Sequence, residues 1–135
     1  MIDHLQTLVS VREAHLRSAQ TEFARTAVAL AAIDQELTAI DDELRMIDQQ
    51  RSAWETQWQK WLREDGVLRR GQEYNLYHLR LSAWENEVRE QRAEVRERHR
   101  AAEDALDAAR ASMLRNQLRV DLLKRELAAA TKEWL

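Results

Sequence analysis

The feature that most constrains this chain is a seven-residue apolar period that holds its phase across the first half. Steps of three and four residues alternate through Ile2, Leu5, Val9, Arg12, Leu16, Ala19, Phe23, Thr26, Leu30, Ile33, Leu37, Ile40, Leu44, Ile47, Arg51, Trp54, Trp58 and Trp61. Fifteen of these 18 positions are apolar, so the pattern predicts one long helix with a coiled-coil seam. At ~1.5 Å of rise per residue such a helix is roughly 90 Å long.

Little in the sequence interrupts helix. There is no proline, and the two glycines are Gly66 and Gly71. Asp3 is the predicted N-cap, with Gln6 three residues on to reach back to it. Gly66 suits a left-handed C-terminal cap after Arg63, and Gly71 reads as a second break. Residues 63–73 are therefore expected to form a connection, with a short helical turn at Val67–Arg70. The period then resumes at Tyr74, Tyr77, Leu81, Trp84, Val88, Gln91, Val95, His99, Ala102, Leu106, Ala109, Met113, Asn116, Val120, Leu123, Leu127, Ala130 and Trp134. Consecutive four-residue steps at Gln91–Val95–His99 predict a stutter, which locally unwinds a supercoil.

The interruption falls near the midpoint, so two arms of similar length can pair. The predicted fold is all-α: one domain over residues 1–135, with two long helices in an antiparallel coiled-coil hairpin. The first arm spans about 3–62, the connection about 63–73 and the second arm about 74–134. Facing residues should then have numbers summing to about 135–137. Charge agrees with that pairing. Residues 34–48 hold six acids against Arg45, a net −5, while residues 88–100 hold five arginines against three glutamates, a net +2. Exposed ion pairs contribute only ~0.2–1 kcal/mol each, so they select register more than they hold the fold. Arg51 lands across from Trp84, a geometry suited to a cation–π contact.

Several classes of function lack their residues. With no cysteine there is no thiolate metal site and no disulfide, as suits a reducing compartment. The longest apolar run, Ala27 to Ile33, is far short of the ~18 residues of a membrane span. MIDHLQTL lacks the features of a signal peptide, and the expected protein is soluble and cytoplasmic. No phosphate-binding glycine loop and no His-Glu-x-x-His motif occurs. None of His4, His15, His78 and His99 follows a glutamate by three residues, the spacing of a di-metal bundle site. A two-helix rod also has no concave pocket, so the reading is a non-enzyme without cofactor or metal. Net charge is −3, and the glutamates among the arginines of 89–100 favour an ion-paired face over a nucleic-acid footprint.

Apolar residues beside the seam are left for other partners. Leu8 and Val11 on the first arm, with Leu114, Leu118 and Leu122 on the second, should meet at the terminal end. Leu62, Leu68, Leu76 and Leu79 are surplus near the connection, beside Trp54, Trp58, Trp61, Tyr74, Tyr77 and Trp84. Contiguous apolar surface on a soluble protein marks an interaction site, and aromatic residues favour hot spots. The aromatic seam positions Trp54, Trp58 and Trp84 also serve to close the hairpin. Residues 110–135 carry six bases against three acids, a net +3, which favours an acidic partner.

The opening LQTLVSVREAHLRSAQTEFARTAVALAAIDQEL, the break near GVLRRG, LYHLRLSAWENEVREQRAEV and AAEDALDAARASM together resemble the central-stalk proteins of type III secretion, the FliJ/YscO-like family. The resemblance covers nearly the whole chain. It implies a non-catalytic shaft that inserts into a hexameric secretion ATPase, engages the cytoplasmic domain of the export gate at the inner membrane, and escorts secretion chaperones. ATPase-binding positions would be Leu8, Val11, Leu114, Leu118, Leu122, Arg115, Arg119 and Arg125. The family's gate-binding patch maps to about Glu43, Ile47, Gln50 and Trp54, and to Tyr77, Leu81, Trp84 and Val88, with Trp61 and Leu76 beside them. Gln50 departs from the aromatic residues of flagellar members. The competing readings are a cytoplasmic adaptor or chaperone for helical or unfolded clients, and a plain coiled-coil spacer.

Overall fold

A computed structural model describes residues 1–64 and 67–134, with side chains at 1–64 and 70–133. Two helices, α1 (Ile2–Arg63) and α2 (Val67–Trp134), form the antiparallel hairpin that the heptads predict. All 18 seam positions of α1 are buried or half-buried. Threonine hydroxyls within the helices find acceptors in the preceding turn, as Thr21 Oγ1 donates to Arg17 O (2.9 Å) and Thr38 Oγ1 to Asp34 O (3.0 Å).

Helix ends depart from expectation. The Leu5 amide donates to Met1 O at 3.1 Å, so the helix starts ahead of Asp3, which sits in the first turn and faces the dipole without capping it. At the other end of α1 the Glu64 amide donates to Trp61 O at 3.1 Å, a tightened last turn. The cap assigned to Gly66, and the side chains of Leu68 and Trp134, lie outside the described residues. Gly71 is not a break: α2 runs through it, and a Cβ there would meet nothing within 4 Å. The expected connection over 63–73 is accordingly shorter, because α2 has begun by Val67.

An earlier start for α2 also shifts the pairing. Trp54 stacks on Tyr77, Trp58 on Tyr74, and Arg110 lies over Phe23, pairs whose numbers sum to 131–133. That is a few residues below the expected 135–137, in the direction a shorter connection requires.

The chain divides into two compact units, Met1–Ala32 with His99–Leu135, and Ile33–Arg98. In the terminal unit Val9, Leu16, Ala109 and Val120 are buried along the seam. Asn116 occupies a half-buried seam position and satisfies its amide within its own helix, donating to Ser112 O at 2.8 Å. In the unit holding the turn, Ile40, Ile47, Leu81 and Val88 form the core, with Leu44, Tyr77, Trp84 and Val95 packed against it.

Here the stutter moves. Gln91 is exposed, and Arg92 takes its place in the seam with its side chain 29% exposed. The double four-residue step is therefore Trp84–Val88–Arg92. Arg92 Nε lies 3.1 Å from Asp41 Oδ1, close enough for an ion pair but without hydrogen-bond alignment. Arg98 pairs with Glu36, so the acidic segment of α1 does meet the arginines of α2. The contact expected between Arg51 and Trp84 does not form. Arg51 pairs with Glu85 and Asp48, and Trp84 Nε1 donates instead to Glu43 Oε1 at 2.8 Å. A carboxylate one residue along from the ring is a stronger partner for a guanidinium than the ring face.

Candidate interaction surfaces

Two surfaces stand out, one in each unit. On the terminal unit Leu114, Leu118 and Leu122 are respectively 57, 60 and 48% exposed, and Val11 is 45% exposed. The three leucines of α2 stand outside its seam, which is why the fold leaves them exposed. Leu8 is half-buried and shares a groove with Arg12, Arg119, Leu122 and Leu123. Arg115, Arg119 and Arg125 are exposed, and among the described residues no ion pair holds them. All eight terminal residues singled out from sequence thus fall in one unit, with the three leucines and three arginines open to solvent.

The second surface is aromatic and belongs largely to the hairpin itself. Trp54 stacks on Tyr77 with centroids 4.1 Å apart, Trp58 on Tyr74 at 4.4 Å, and Trp54 meets Trp61 edge-on at 5.3 Å. Arg70 covers the Trp61 ring at 4.4 Å. Phenol groups anchor this stack across the helices: Tyr77 donates to Gln50 Oε1 at 3.1 Å and Tyr74 donates to Glu55. That bond to Glu55, with partial burial, raises the Tyr74 pKa, since an adjoining carboxylate opposes phenolate formation. Of the residues placed here from sequence, Ile47, Trp61, Leu81 and Val88 are buried in the seam. Their apolar surface is used by the fold. Gln50 and Leu76 are exposed, and Glu43, Trp54, Tyr77 and Trp84 are half-buried. Leu62 and Leu79 add exposed apolar surface, and Trp54 Nε1 is buried without a hydrogen-bond partner.

Beside this stack lies the Arg51–Glu85 pair. Glu85 takes hydrogen bonds from Arg51 and from Arg89, the latter at 2.9 and 3.0 Å. These bonds hold its carboxyl below the usual carboxylate range and raise the Arg51 pKa in turn.

Among the described residues no group of three or more histidine and acidic side chains could hold a metal ion, and no helix is long and apolar enough to cross a membrane. The chain matches no protein-family model, no curated protein and no solved structure. Glu126 and Glu133 line a terminal groove and are not among the site residues expected from sequence. The signal for them was present in the heptad: Arg119, Glu126 and Glu133 repeat at seven-residue steps beside the seam.

Proposed function

We propose that the chain is the non-catalytic central stalk of a type III secretion or flagellar export ATPase, acting in the cytoplasm at the inner-membrane export apparatus. The terminal unit inserts into the hexameric ATPase, and the unit holding the turn engages the cytoplasmic domain of the export gate. The observation that carries this reading is the solvent-exposed row Leu114, Leu118 and Leu122 flanked by Arg115, Arg119 and Arg125. An apolar stripe left open on a two-helix hairpin needs a protein partner. A basic rim selects one with an acidic lining. On the other unit the surface open to the gate is Gln50, Leu76, Leu79 and the half-buried faces of Trp54, Tyr77 and Trp84. Secretion chaperones are further candidate partners.

Replacing Leu114, Leu118 and Leu122 together by serine should abolish stimulation of the ATPase and leave helicity unchanged, because these side chains flank the seam. Leu76→Ser with Leu79→Ser should retain stimulation and weaken gate binding. If the serine triple mutant stimulates normally while the tip variant does not, the assignment of the two surfaces is reversed. If neither set affects any ATPase, and the chain instead suppresses aggregation of unfolded clients, the adaptor reading replaces the stalk.

A further inference from the structure

Two shallow grooves lie between the helices of the terminal unit, and one repeats the other a heptad further on. The first, of about 290 Å³, is lined by Leu8, Arg12, Arg119, Leu122 and Leu123. The second, of about 430 Å³, has Met1, Leu5, Glu126, Ala129 and Ala130 at the corresponding positions, each seven residues away, with His4 and Glu133 beside them. Residues seven apart return to the same side of a coiled-coil helix, ~10.5 Å along its axis. The grooves are thus consecutive heptads of one furrow. Its period is that of the holes into which a third helix places its knobs.

The walls change between heptads in two respects. Size is the first: Leu122 and Leu123 give way to Ala129 and Ala130, which accounts for the larger second groove. Charge is the second, because Arg12 and Arg119 are replaced by Leu5 and Glu126, with Glu133 one heptad beyond. We propose that this furrow docks an amphipathic α-helix of another protein, packed as the third helix of a local bundle. That helix carries acidic residues on the heptad beside Arg12 and Arg119, and basic residues on the heptad beside Glu126 and Glu133. Its apolar knob is larger where the alanines leave room.

A second copy of the chain is a poor occupant. Its exposed stripe of Leu114, Leu118 and Leu122 is rimmed by Arg115, Arg119 and Arg125, which would bring arginine onto the heptad of Arg12 and Arg119. Packing two stripes about a twofold axis, Leu118 on Leu122, would set Arg115 against Arg125. The same packing sets Arg119 against Asp121, so charge gives that pairing no net advantage over a partner matched to the furrow. The proposal names the chemistry of a partner at the terminal surface and does not depend on the ATPase assignment. Peptide binding tests it, whereas ATPase stimulation tests the stalk.

Three fluorescent peptides of about three heptads share one apolar stripe and differ only in flanking charge: acid on one heptad and base on the next, acid throughout, or base throughout. Fluorescence anisotropy with the full chain should rank the mixed peptide about tenfold tighter than either uniform one, with the gap narrowing as salt rises. Glu126→Arg with Glu133→Arg, both at exposed positions, should transfer the preference to the all-acidic peptide. Leu122→Asp should weaken all three with circular dichroism unchanged. Equal binding of the three peptides, or a ranking that the charge reversal leaves unaltered, would overturn the proposal. So would a dimer of the chain that the mixed peptide does not dissociate.

Discussion

Ile47 is the position at which the seam is most sensitive to truncation. Its side chain is 0% exposed, and it packs in a cluster with Ile40, Leu81 and Val88. Ile47→Ala removes three carbons at ~0.8 kcal/mol each, about 2.4 kcal/mol of transfer free energy. A residual cavity adds to this, although a two-helix seam closes over a gap more readily than an enclosed core, so the expected loss is about 3 kcal/mol. Val28→Ala, at a residue 70% exposed, supplies the contrast and should stay within about 0.5 kcal/mol of wild type. Urea unfolding followed by circular dichroism reads both, provided the tryptophan fluorescence transition coincides. Since Val88 belongs to the same cluster, the double mutant with Val88→Ala should be non-additive by roughly 0.5 kcal/mol or more. An Ile47→Ala loss no larger than that of Val28→Ala would refute the seam.

Further expectations follow from the corrected seam and its ion pairs. Arg92→Leu should leave stability unchanged or raise it by ~1 kcal/mol, because it removes a partly buried guanidinium whose Nε lacks an aligned acceptor. Gln91→Leu should do little, and a larger gain there in the same unfolding assay would return the stutter to Gln91–Val95–His99. The folded-state pKa of Glu85 is depressed, so its contribution is complete above the ordinary carboxyl value of 4.5 and is lost as pH falls through the folded value. Glu85→Gln should therefore flatten the acid limb of a stability–pH profile, and an unchanged limb would contradict the pairing with Arg51 and Arg89. Leu5 and Ala130 line the same groove, so spin labels at these positions should report a short distance within single chains at high dilution. A separation approaching the roughly 190 Å between these positions in one continuous helix would exclude the hairpin.

Helix type, seam and pairing direction were legible in the sequence because each rests on a repeated signal. Eighteen positions of α1 obey one period, and an error at any one of them is outvoted by the rest. The turn was less legible because it depends on single residues. Gly71 carries the propensity of a breaker, yet a glycine costs only about 1 kcal/mol inside a helix, and a helix paired along its length offsets that. The start of α2 at Val67 accordingly lowers the pairing register by a few residues. Arg92 was passed over because a charged residue does not count as apolar, although its aliphatic stem fills a seam position while its head reaches Asp41. Ile47, Leu81 and Trp61 show the opposite difficulty. Both a seam and a docking face select large apolar side chains, and only burial separates the two. The exposed leucines of α2 were identifiable as surplus because they stand outside the period.

Stoichiometry tests the stalk most directly. A shaft threaded through a ring meets six equivalent subunits with one asymmetric hairpin, whereas a peripheral adaptor meets each subunit separately. Native mass spectrometry of the assembled ATPase titrated with the chain should saturate at one chain per hexamer, and hydrolysis should reach its maximum at that ratio. Saturation at six chains per hexamer, or no bound chain while the hexamer stays intact, would contradict the account.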